Sequence, residues 1–149
     1  MDRKKLLLAG FVIFSVIGFL DSAYLTLEHY QRGIVPCVIF KGCDTVLTSK
    51  YSTLAGFPIS LFGSAYYLAV LVGTLIYFDT GREKIMKFTA MLPVLGFMIS
   101  LGLLFLQLFV IKDICFYCMI SLATSTILFV LSIIWINKFK ENQVPSQII

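Results

Sequence analysis

Four apolar runs divide this chain, and the short segments between them hold nearly all of its charge. A helix needs about 20 apolar residues to cross a bilayer. Residues 6–27, 59–78, 88–111 and 116–136 each meet that requirement. Backbone polar groups in lipid must be satisfied within the segment, so each run predicts a helix. The expected fold is all-α: an integral membrane four-helix bundle forming one domain over residues 1–149. The first run is not a cleaved signal peptide, because it is too long and "IGFLDSAYLTLEHY" lacks a small-residue cleavage pattern.

Between the first and second runs lies a longer polar segment, residues 28–58. Within it, Asp44 or Thr45 can cap a short helix. Leu47, Tyr51 and Leu54 would then share one apolar face at i, i+4, i+7. Such a half-helix would lie across the bundle mouth, either as a functional lid or as a plain interfacial cover. Gly56 and Pro58 end it, with Pro58 placed to start the second membrane helix.

Composition agrees with lipid as the main solvent. Hydrophobic residues make up 59% of the 149 and charged residues 13%, where a soluble domain carries about 25%. The net charge of +4 does not suggest a nucleic-acid partner. The placement of the basic residues says more. Arg3, Lys4, Lys5, Arg82, Lys84, Lys87, Lys138 and Lys140 fall on one side, and Arg32, Lys41, Lys50 and Lys112 on the other. The positive-inside rule then puts both termini in the cytoplasm and the half-helix on the outer face of the cell membrane.

All four cysteines fall on that outer, oxidising side: Cys37 and Cys43 in the long segment, Cys115 and Cys118 where the fourth run opens. Cys115 and Cys118 stand at i and i+3 and share a helix face. With Asp113 as N-cap, both would sit in the first turns, where unpaired N–H groups and the helix dipole stabilise a thiolate. Small residues follow, Ser121, Ala123, Thr124 and Ser125, leaving room for a neighbouring helix or a ligand. A thiolate there, expected at Cys118, could meet a lipophilic oxidant. The alternatives are a static disulfide, a zinc site and inert buried thiols. The other pair is C-x5-C in an oxidising compartment, which argues against zinc, and no metal-site histidine cluster appears.

Other polar residues are fewer. Asp21 lies inside the first apolar run, where a carboxylate is costly; it either serves function or snorkels to the interface. Gln107 and Lys112 face the bundle or the headgroups, and Trp135 suits an interfacial anchor.

The ordered cysteines, "GCDTVLTSKYSTLAGFPISLFG" and "DSAYLTLEH" resemble the vitamin K epoxide reductase family in its prokaryotic form, over residues 6–137. That resemblance implies a quinone-dependent, disulfide-generating thiol oxidase. A separate extracytoplasmic thioredoxin-fold partner would reduce a Cys37–Cys43 disulfide. Cys43 would pass electrons to Cys115, and Cys118 would reduce a membrane quinone, menaquinone or ubiquinone. Ser49 matches the family's lid serine, and Tyr51 holds the aromatic place two residues on. Ile59 and Leu122 stand where vertebrate members have polar contacts to the vitamin K ring. The other four-helix thiol-oxidase family carries its CxxC in the first outer loop, so the cysteine order here argues against it. The competing class is a non-enzymatic membrane protein with structural disulfides.

Overall fold

The computed structural model describes residues 2–31 and 42–140. Four helices are long and apolar enough to cross a membrane: Arg3–Gln31 (α1), Ile59–Thr80 (α3), Glu83–Ile111 and Phe116–Lys138. The third comprises α4, Glu83–Phe105, and a π-helical segment, Leu106–Ile111; the fourth, α5, runs on to Lys140. The chain is an all-α membrane bundle. Each helix outruns its apolar window, α1 by continuing to Gln31 into the segment expected to be loop. Charged side chains bound a hydropathy window, but they do not stop a helix whose ends reach the polar headgroups.

Packing is tightest between α1 and α3 and between α4 and α5, with α1 also against α5. Glycines set the closeness. A Cβ on Gly18 would fall 2.3 Å from the Tyr67 ring, and one on Gly96 2.4 Å from Tyr66, so only hydrogen fits there. The core holds Phe11, Tyr67, Val70, Met86, Ala90, Leu128 and Trp135. Several buried hydroxyls turn back to their own helices: Ser22 donates to Gly18 O (2.7 Å), Thr74 to Val70 O (2.8 Å) and Thr89 to Ile85 O (2.9 Å). This satisfies them without water.

The cap differs from its expected form. Helix α2 spans only Cys43–Thr48 and starts at the cysteine itself. Gly42, not Asp44 or Thr45, is its N-cap, with no side-chain bond. A 3-10 turn, Lys50–Ser52, follows, then a hairpin of β1 (Thr53–Leu54) and β2 (Phe57–Pro58). Leu47, Tyr51 and Leu54 therefore do not share a helix face; Leu54 stands in a strand and is exposed. The helix breaks because Ser49 is extended (φ −66°, ψ 155°). Its hydroxyl donates to Val46 O at 2.7 Å and closes the last turn. Ala55 and Gly56 make the hairpin turn, both at positive φ (53° and 86°), as tight hairpin turns require. Pro58 then precedes α3 as its N-cap.

Candidate functional site

Cys43, Cys115 and Cys118 meet where α2 presses on the segment before α5. Gly42 permits the approach: a Cβ there would lie 2.9 Å from both Asp113 Cβ and the Ile114 carbonyl. Cys43, Val46 and Cys115 form one buried cluster, packed round by Leu47, Ile111, Phe116, Tyr117 and Cys118. Cys43 is disulfide-bonded, whereas Cys115 and Cys118 are free thiols. Cys37 lies outside the described residues.

Helix α5 starts later than Asp113 would place it. The Met119 N–H donates to Cys115 O (3.1 Å), so Cys115 itself holds the N-cap position and Cys118 sits in the first turn. The π segment ends at Lys112 in the left-handed conformation (φ 59°), which turns the chain into a short connection before α5. Near the start of that segment Gln107 is buried, and its Oε1 accepts the Cys115 N–H at 3.3 Å. The sequence left Gln107 between bundle and headgroups; it faces the bundle, while Lys112 is exposed.

The two thiols differ electrostatically. The Cys118 thiol donates to the Cys115 sulfur, and the Cys118 and Tyr117 backbone N–H groups add to it. Together they outweigh burial and bring Cys115 down to about 7 from 9.0. The sulfur that carries charge is therefore Cys115, whereas the sequence placed the anion at Cys118. Position explains the reversal: only the N-cap side chain meets the unpaired N–H groups of the first turn.

Beneath the cap lies a cavity of about 370 Å³. Cys118 lines it; Ser49 and Tyr51 from the cap, Asp21 from α1 and Gln107 from the π segment do so too. Ile59 and Leu122 are also in its wall. Tyr51 is half exposed, at the margin. Two tyrosines that the sequence did not single out, Tyr66 and Tyr67, complete the α3 side. Tyr67 is anchored, its hydroxyl 2.9 Å from Ser121 O and 2.9 Å from Thr124 Oγ1. The available signal was a tandem aromatic pair with polar tips inside an apolar run. Small-molecule pockets start at about 300 Å³ and are mostly apolar with a few placed polar groups. A flat quinone ring fits that description of the site, with Cys118 in its wall.

A sequence profile described as "Vitamin K epoxide reductase family" matches residues 10–133, most of the chain and every membrane helix. No individual curated protein matches the sequence.

Proposed function

Because the chain belongs to the vitamin K epoxide reductase family of membrane thiol oxidoreductases linked to quinone, we propose that it oxidises a separate thioredoxin-fold protein outside the cytoplasm. One observation carries this reading: the CxxC pair straddles two environments. Cys115 packs against Cys43, and Cys118 lines the apolar cavity. Electrons arriving at a water-facing loop can thus reach a membrane-accessible pocket through two adjacent sulfurs.

The cysteine steps are disulfide exchanges, each needing a thiolate in line with a disulfide. A partner thiolate attacks Cys37 of a Cys37–Cys43 disulfide, and a second partner thiol resolves it, leaving both loop cysteines reduced. Cys43 then attacks Cys115 of a Cys115–Cys118 disulfide and Cys118 leaves. Cys37 attacks Cys43, and Cys115 leaves as a thiolate, favoured by its lowered pKa. The disposition seen here, with Cys43 bonded and both CxxC sulfurs free, corresponds to that point in the cycle. A quinone bound in the cavity would accept two electrons and two protons as the CxxC disulfide closes again. Cys118, Ser49 and Tyr51 would hold it, and the apolar wall would exclude water. The cysteine end faces outward and both termini face the cytoplasm, in keeping with the distribution of basic residues.

The test is quinone reduction by purified protein, driven by a reduced thioredoxin-fold protein and, separately, by dithiothreitol. Cys115→Ser and Cys118→Ser should remove both activities. Cys37→Ser and Cys43→Ser should remove the first and spare much of the second. Retention of quinone reduction by Cys118→Ser defeats the proposal.

A further inference from the structure

The cysteine relay leaves one group in the cavity wall without work: Asp21. Its Oδ2 is fully buried and has no hydrogen-bond partner among the described residues. The side chain lines the same cavity as Cys118 and lies within Coulombic reach of both Cys115 and Cys118. A carboxylate left unpaired in an apolar wall is expensive, and such residues inside membrane helices mark function by default. The other ionisable groups facing this cavity are His29 on α1, Tyr51 on the cap, Tyr66 and Tyr67 on α3, and Cys118 on α5. Helix α4 and its π segment present none. Asp21 is the one carboxyl group among them. His29 lies eight residues further along α1, at the margin.

Resting on the quinone-linked activity above, we propose that Asp21 is the site's proton store, charged and discharged by the redox state of the CxxC pair. Two anions sharing a low-dielectric pocket repel strongly, so the site holds one negative charge at a time. With the pair reduced, Cys115 is the thiolate, Cys118 a thiol and Asp21 a neutral acid. As the Cys115–Cys118 bond forms, two electrons leave the sulfurs for the quinone. The sulfur charge vanishes, Cys118 gives up its proton and Asp21 gives up its own. The acceptor gains two electrons and two protons to become the quinol, Asp21 is left as the carboxylate, and the pocket carries one negative charge before and after. When exchange with the loop pair regenerates the Cys115 thiolate, Asp21 takes up a proton again. The buried charge thus moves between two atoms without ever doubling.

Redox-difference infrared spectroscopy tests this without quinone turnover. Purified protein, reduced by dithiothreitol and oxidised by diamide, should show a protonated-carboxyl band in the reduced state that is lost on oxidation. Asp21→Asn should remove that band, and Asp21→Glu should shift it. In the quinone assay Asp21→Asn should lose at least about 100-fold, the usual scale for a removed proton-transfer group, with partial rescue by Asp21→Glu. A band that does not follow redox state, or an Asp21→Asn variant with full quinone activity, overturns the proposal. If the unaltered protein reduces no quinone, the functional reading fails instead, and a redox-linked band would still locate the proton at Asp21.

Discussion

The two ends of this bundle are built to opposite rules. At the end away from the cysteines, Met86, Ala90, Leu128 and Trp135 fill the space between helices, and Tyr77 meets Trp135 edge-on with ring centroids 5.5 Å apart. The α3–α4 connection is tight there: Gly81 takes φ 64° and its N–H closes on Tyr77 O at 2.8 Å. At the cysteine end almost every element is irregular. A six-residue helix, a 3-10 turn, a two-residue hairpin and a π segment surround a cavity of about 370 Å³. Regular helices packed at native density leave few voids larger than water. Holding a void open, with one sulfur in its wall and its neighbour turned against α2, requires elements that break the helical repeat. The solid end supplies the rigidity that the hollow end lacks.

That contrast can be broken most sharply at Cys118. Cys118→Ala should cut quinone reduction to background while leaving thermal unfolding in detergent nearly unchanged, since the residue borders a void. The same variant removes the thiol that donates to Cys115. The alkylation rate of Cys115 follows its thiolate fraction, which rises with pH and is lost below about 7. In Cys118→Ala the midpoint should move up towards the ordinary 9.0. A midpoint that stays near 7 would mean that the helix terminus alone sets the thiolate.

At the solid end the expectation reverses. Leu128 is fully buried, and Leu128→Ala should cost about 2–5 kcal/mol of stability by thermal or denaturant unfolding. Its effect on the Cys115 alkylation profile should be negligible. A shift in that profile would mean the two ends are coupled.

Gln107 belongs to the cysteine end, in the π segment that lines the cavity. Gln107→Leu leaves the buried Cys115 N–H without its acceptor, at a cost of about 1–3 kcal/mol. Exchange of Cys115 with the loop pair should slow at the same time, which stopped-flow thiol trapping would read. The smallest effect is expected at the hairpin. Ala55 holds φ 53° in the open, so Ala55→Gly should raise stability by at most about 1 kcal/mol. Quinone turnover should be unchanged, because the hairpin turn lies outside the cavity wall.

Much of this molecule is legible in one dimension. Four windows of apolar residues are enough to specify four membrane helices, because lipid leaves the backbone no other way to satisfy itself. The cysteine spacing likewise made Cys115 and Cys118 candidates from their position at a helix start. Local order in the cap was harder to see. The spacing of Leu47, Tyr51 and Leu54 fits a helix, yet Ser49 breaks it and the chain turns into a hairpin. An i, i+4, i+7 pattern says nothing about a backbone turn between its members.

What the sequence determined by itself was which segments enter the membrane and which sulfurs stand together at one end of them, since hydropathy and spacing are properties of the chain. Which of the two helix-start sulfurs carries charge and which meets the cavity was decided only in three dimensions. It depends on where α5 begins, on how the π segment presents Gln107, and on Gly42 letting α2 settle against residues 113 and 114. Those are contacts between segments far apart in the chain, and no local pattern encodes them.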